Sequence, residues 1–141
     1  MRKNQILLVE DNEGDIVLTT EAFEECDFKI DIQVARNGKE AITILFEQQD
    51  ESQLPDLILL DINLPLLNGH EVLKKIKENE KTKHIPVVML TTSSAVSDIN
   101  LTYDNYANCF ITKPADINDF FETINNLSNY WFRTSKLPSK K

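Results

Sequence analysis

The chain has only three glycines, five prolines and two cysteines in 141 residues. So little glycine and proline leaves no Pro/Gly-rich linker, and no low-complexity tract or internal repeat is present. At 41% hydrophobic and 27% charged the composition is that of a globular chain, not a disordered one. Cys26 and Cys109 are too few to staple a disulfide scaffold. One falls at a helix end and the other in an apolar strand, and both read as reduced packing residues of a cytoplasmic protein. No apolar stretch approaches the roughly 18 residues that a bilayer span needs. The opening Met1-Arg2-Lys3-Asn4-Gln5 leads straight into a strand-length apolar run without a signal-peptide core, so no membrane association and a cytoplasmic location are expected. Basic residues are outnumbered, 15 Lys and Arg against 23 Asp and Glu, for a net charge of -8. That balance argues against direct nucleic-acid binding, which needs clustered cations to neutralise phosphates.

What is present is an alternation. Five short apolar runs, at Ile6–Val9, Ile32–Ala35, Leu57–Leu60, Pro86–Leu90 and Cys109–Thr112, alternate with segments of helical period. Runs of that length read as strands buried on both faces, as in a parallel sheet. Helices are expected at about Asp15–Cys26, with Ile16, Thr19, Ala22 and Phe23 inward, and after Asn37-Gly38, with Ala41, Ile42, Leu45 and Phe46 on one face. A third starts near Asn68-Gly69 with Val72, Leu73 and Ile76 inward and Lys74, Lys75, Lys77 and Glu78 outward. A fourth, about Ser97–Tyr106, is polar and weakly patterned; the fifth, from Asp116, carries an Ile117, Phe120, Phe121, Ile124, Leu127 stripe. Strict alternation with short links implies right-handed crossovers and helices on both faces of one sheet. The expected fold is therefore α/β: a doubly wound five-stranded parallel sheet in a single domain. The domain of this pattern spans 1–132, with Gln48–Gln53 as a solvated loop and 133–141 as a basic C-terminal tail.

Four polar positions stand where strands stop: Glu10-Asp11, Asp61, Thr91 and Lys113. Residues just past the carboxyl ends of parallel strands line the crevice where open α/β sheets keep their sites. Three carboxylates, a hydroxyl and an amine at one edge suggest a divalent metal and a phosphoryl group. Mg²⁺ takes one or two carboxylates and keeps waters. Asp61, ending the central strand, is the candidate nucleophile, and Thr91 and Lys113 suit the equatorial phosphoryl oxygens. Each motif alone has a plainer reading, as helix cap, turn former, strand end or loop dipeptide. Together they form one constellation.

The chain resembles the receiver domains of two-component response regulators. The resemblance covers about residues 4–130 and rests on Ile6-Leu7-Leu8-Val9-Glu10-Asp11-Asn12, on Leu59-Leu60-Asp61-Ile62-Asn63-Leu64-Pro65 with Asn68-Gly69 beyond it, on Val88-Met89-Leu90-Thr91-Thr92, and on Thr112-Lys113-Pro114. It implies the flavodoxin-like strand order 2-1-3-4-5. It also implies that Asp61 accepts a phosphoryl group from a histidine kinase phosphohistidine, and that Glu10, Asp11, Asp61 and the Asn63 backbone carbonyl hold Mg²⁺. Thr91 and Lys113 would contact the phosphoryl group, Thr91 and Phe110 would form the switch, and Lys113-Pro114 would be a cis peptide. Two positions depart from the common pattern. Phe110 lacks the hydroxyl of the tyrosine often found there, and Glu10 replaces a frequent Asp.

The resemblance extends to Tyr130-Trp131-Phe132. A helix continuing from Leu127 can turn one or two of these rings inward but not three. They read either as a cap over the sheet edge or as a contact for a partner. Such an extension is similar to that of single-domain regulators associated with bacterial phytochrome kinases, and it implies a homodimer and a cognate, phytochrome-type sensor kinase. His70 and His84 lack metal-ligand spacing and read as surface or loop histidines. Three other functions compete. A small aspartyl-phosphate hydrolase would place a second acid two residues past the nucleophile, where this chain has Asn63, so no enzyme is expected. A flavin-binding domain would not put Glu10-Asp11 against a phosphate. A receiver fold used only as an unphosphorylated scaffold is the remaining alternative.

Overall fold

Each of the five apolar runs forms a strand, and the amphipathic segments between them form helices. The computed structural model describes residues 4–47 and 53–138. In chain order the elements are β1 (Asn4–Val9), α1 (Glu13–Glu24), β2 (Ile30–Ala35), α2 (Gly38–Phe46), β3 (Leu57–Leu60), α3 (Gly69–Glu78), β4 (Val87–Thr91), α4 (Val96–Asp104), β5 (Cys109–Thr112) and α5 (Ile117–Asn129), followed by a π-helical turn (Tyr130–Thr134). All strand pairs are parallel and the order is β2-β1-β3-β4-β5. This is the flavodoxin-like single domain expected. The loop expected at Gln48–Gln53 lies, except for Gln53, outside the described residues, as do the last three positions of the tail.

Side chains alternate across the sheet and build two cores. Leu7, Val9, Ile58, Leu60, Val87 and Met89 face α2 and α3. Ile6, Leu8, Leu57, Leu59, Val88 and Leu90 face α1 and α5. The three inner strands are buried throughout except at the start of β1, whereas β2 alternates and β5 is only half-buried, as edge strands are. Each fully buried aliphatic side chain stabilises the fold by about 1.5–3 kcal/mol relative to exposure.

Local chemistry sets the helix starts. Asn12 accepts from the Asp15 amide, so α1 begins two residues earlier than the apolar pattern alone suggests. Asn68 and Glu71 form a reciprocal capping box at α3. The next residue is Gly69 for steric reasons: a Cβ there would lie 2.1 Å from the Asp61 carbonyl oxygen. The first turn of α3 therefore rests directly on the backbone where β3 ends.

Three expectations need correction. No cis peptide bond occurs among the described residues, so Lys113-Pro114 is trans, the form an X-Pro bond prefers by about 0.5–1 kcal/mol. Ile117 is exposed rather than part of the buried stripe of α5, because it lies in the first turn, beyond the sheet edge. Lys77 turns back instead of outward: its ammonium donates to the carbonyls of Lys83 and Ile85, 3.0 and 2.7 Å away.

Candidate functional site

Register brings the four strand-end positions together. Val9 pairs with Leu60, Leu60 with Met89, and Thr91 with Thr112, so β1, β3, β4 and β5 end at one edge. The ladder continues one step past the strands: the Asp61 amide donates to the Val9 carbonyl at 3.1 Å, and the Lys113 amide to the Thr91 carbonyl at 2.7 Å. Carboxylate oxygens of Glu10, Asp11 and Asp61 all lie within 4.8 Å of one another. Glu10, Asp61 and Thr91 are buried at 2%, 7% and 0% exposure. Asp11 is exposed and gives the cluster its open side.

The Lys113 ammonium lies inside this acid cluster. It donates to Glu10, to Asp15 Oδ2 at 3.0 Å and to Asp61 Oδ2 at 3.4 Å. The second Asp61 oxygen, Oδ1, accepts from the Ile62 amide at 2.7 Å, and Glu10 Oε2 accepts from the Asn12 amide at 3.2 Å. Burial pushes the Glu10 carboxyl up to about 7, against the pull of its bond to Lys113. Burial by itself would lower the Lys113 pKa. The bond to Glu10 and the charges of Asp61 and Glu10 outweigh that effect and hold it above the usual lysine value. With hard oxygen donors only, one exposed side and a cation already drawn among the acids, the cluster fits a small divalent ion that keeps part of its water.

The remaining expected residues lie outside the acid cluster, with the aromatic turn at the opposite, amino edge of the sheet beside the start of β5. Asn63 sits exposed on the β3–α3 loop, two residues past Asp61. The Phe110 ring packs half-buried against the α2–α3 core, and its amide donates to the Tyr103 hydroxyl at 3.1 Å. Trp131 and Phe132 pack on the α1–α5 core, with Phe132 6.0 Å from the Phe28 ring, while Tyr130 stays 54% exposed. Arg133, in the same turn, stacks over Phe28 at 5.1 Å.

Sequence reasoning missed two features. Asp15, in the first turn of α1, is a further acid on Lys113. His70, expected at the surface, is in fact only 13% exposed and bonds through Nε2 to Asp98 at 3.0 Å. The sole sequence signal for Asp98 was an acid in the first turn of a helix; nothing in spacing showed that the two helix starts meet.

Comparisons with known proteins agree with this geometry. The profile of the response regulator receiver domain matches residues 6–125. Response regulator Rcp1 of Synechocystis sp. is 38% identical over 136 residues, covering 95% of this chain and 92% of that protein. The crystal structure of the phosphorylated cyanobacterial phytochrome response regulator RcpA superposes with a TM-score of 0.91 at 40% identity, over 98% of this chain and 100% of that one. The Mn²⁺-bound form of Rcp1 superposes with a TM-score of 0.88 at 37% identity, over 96% and 99% of the two chains.

Proposed function

The chain belongs to the response regulator receiver family, and from that premise we propose that it is a single-domain switch that accepts a phosphoryl group on Asp61 from a histidine kinase phosphohistidine, with Mg²⁺. The observation that carries this reading is the meeting of Glu10, Asp11 and Asp61 within 4.8 Å, with the Lys113 ammonium already on Asp61 Oδ2.

The roles follow from the contacts. A carboxylate oxygen of Asp61 attacks phosphorus, the O–P bond forms, and the P–N bond breaks with its electron pair leaving on the kinase imidazole. The Ile62 amide fixes the orientation of the Asp61 carboxylate through Oδ1. The Lys113 ammonium pairs with a phosphoryl oxygen, and the Thr91 hydroxyl donates to another. Glu10, Asp11, Asp61 and the Asn63 backbone carbonyl would hold Mg²⁺. When bound, that ion screens the negative charge of the pocket against an anionic phosphoryl group.

In the proposed switch Thr91 moves toward the phosphoryl group and Phe110 fills the space it leaves. The output is then a packing change, since Phe110 has no hydroxyl to offer a partner. The domain is assigned to 1–132, with 133–141 as a tail, in the cytoplasm; no helix among the described residues is long and apolar enough to cross a membrane. The similarity to phytochrome response regulators supports a phytochrome-type kinase as partner. A homodimer through α4, β5, α5 and the aromatic turn is supported by a groove of about 590 Å³ beside edge strand β5, lined in part by Ile111, Leu127, Tyr130 and Trp131.

Acetyl phosphate with Mg²⁺ should add one phosphoryl group to the wild type, read as a mass increment, and none to Asp61→Asn. Equal labelling of the two proteins would sink the nucleophile assignment. Truncation before Tyr130 should lower the mass measured by light scattering; an unchanged mass overturns the dimer.

A further inference from the structure

A short chain of side chains runs around the outside of the phosphoryl pocket, from the backbone of Asp61 to Thr91. It begins where Gly69 rests on the Asp61 carbonyl, so that the next residue, His70, is placed at the start of α3. His70 Nε2 bonds Asp98 Oδ1 at 3.0 Å, across to the first turn of α4. The other oxygen, Asp98 Oδ2, accepts from the Ser93 hydroxyl at 2.6 Å. Ser93 is two residues past Thr91, and its amide donates to Thr91 Oγ1 at 3.4 Å. Its carbonyl accepts from the Thr112 hydroxyl at 3.2 Å, on β5. The loop that carries Thr91 is thus held from α3, α4 and β5 at once.

We propose that Asp98 is a positioning residue that, braced by His70, clasps Ser93 and so sets how readily Thr91 reaches the phosphoryl group. The inference rests on the receiver reading of Asp61 and Thr91 above. The short, charge-assisted bond from Ser93 to Asp98 is the strong link of the chain. The two bonds that Asp98 accepts, from Ser93 first and then His70, also hold its carboxyl below the usual range. Asp98 has a local structural role as well, since the α4 cap residue Ala95 makes no side-chain cap bond and Asp98 is the acid of that first turn. Ser93 Oγ also accepts from the Ala95 amide at 3.3 Å, ahead of α4, so Ser93→Ala loses that bond as well as the clasp, and Asp98→Asn, which keeps both, is the control. For Thr91 to advance, Ser93 must shift with it, because one residue links them. A clasp that fixes Ser93 in the absence of a phosphoryl group therefore opposes the switch.

Beryllofluoride, a phosphoryl mimic, measures that opposition without turnover. Its Kd would be determined with Mg²⁺ by fluorine NMR for the wild type, Ser93→Ala, Asp98→Ala, Asp98→Asn and the Ser93→Ala/Asp98→Ala pair, with thermal melting recorded for each. Ser93→Ala and Asp98→Ala should each bind about tenfold tighter, corresponding to about 1.4 kcal/mol. The double variant should gain no more than either single one, and Asp98→Asn, which can still accept from Ser93, should return most of the way to wild type. A general loosening of α4 would lower the melting temperatures of Asp98→Ala and Ser93→Ala without tightening mimic binding or giving this non-additive pattern. Unchanged or weaker mimic binding in Ser93→Ala, or additive effects in the pair, overturns the clasp while leaving the receiver reading standing. A wild type that takes up no mimic, or an Asp61→Asn that takes it up equally, overturns that reading and the clasp with it.

Discussion

Lys113 and Lys77 stand at opposite ends of the same sheet, and their surroundings push their pKa values in opposite directions. Lys113 follows β5 and its ammonium lies among Glu10, Asp15 and Asp61. Lys77 lies late in α3, and its ammonium reaches the carbonyls just before β4 and Asn108 just before β5. Both are largely withdrawn from water. Full negative charges more than offset the burial of Lys113 and raise its pKa, whereas the neutral dipoles around Lys77 do not, and burial brings it down to about 8. The carboxyl edge thus gathers full negative charges around one cation. The amino edge is a staple between α3 and two strand starts.

The largest expected effect that tests this contrast is at Lys113. Lys113→Met leaves Glu10 and Asp61 buried without their cation and should lower the stability of the metal-free protein by about 3 kcal/mol in urea unfolding. Mg²⁺ should recover most of that loss; a loss smaller than that of Lys77→Met would reverse the comparison. Next comes the floor of the site. Gly69→Ala puts a methyl 2.1 Å from the Asp61 carbonyl oxygen and should cost about 1–3 kcal/mol, with weaker uptake from acetyl phosphate as β3 and α3 part. A fully stable variant with normal uptake would show that this contact does not position Asp61.

The smallest effect is a pH dependence at the other edge. Between pH 8 and 10.5 the unfolded chain keeps a Lys77 proton that the folded chain has released. Unfolding then takes up a proton, so the Lys77 contribution to stability rises with pH through that window. Wild type should gain stability relative to Lys77→Met when urea unfolding is compared at pH 8 and above; a constant difference would place the ordinary lysine value in the fold and remove the contrast.

The fold was largely legible because its signals are local. Leu57–Leu60 and Cys109–Thr112 were read as strands with the bounds they have, and the others shifted by one or two residues at their ends. Asn12 explains one shift, since an asparagine cap extends α1 before its first apolar residue. Strand-end polarity likewise marked Glu10, Asp11, Asp61, Thr91 and Lys113 as neighbours. Asp15 was missed because it looked like an ordinary exposed acid in a first helical turn, and only the reach of Lys113 from β5 draws it in. Lys77 followed the outward, charged period of α3, yet its long side chain folds back to carbonyls of the turn that follows.

By itself the sequence determined the alternation of strand and helix, the two-sided burial of the inner strands, and the set of residues that close each strand. These follow from continuous apolar runs, the points where they stop, and the 3.6-residue period between them, none of which needs a distant partner. Only the tertiary structure decided that His70 and Asp98 meet across two helix starts, that Lys77 turns inward, that Lys113-Pro114 is trans, and that Trp131 and Phe132 cover the core while Tyr130 faces solvent. Each of these depends on how closely two elements approach, and such distances are set by packing, as where Gly69 lets α3 rest on the backbone of Asp61.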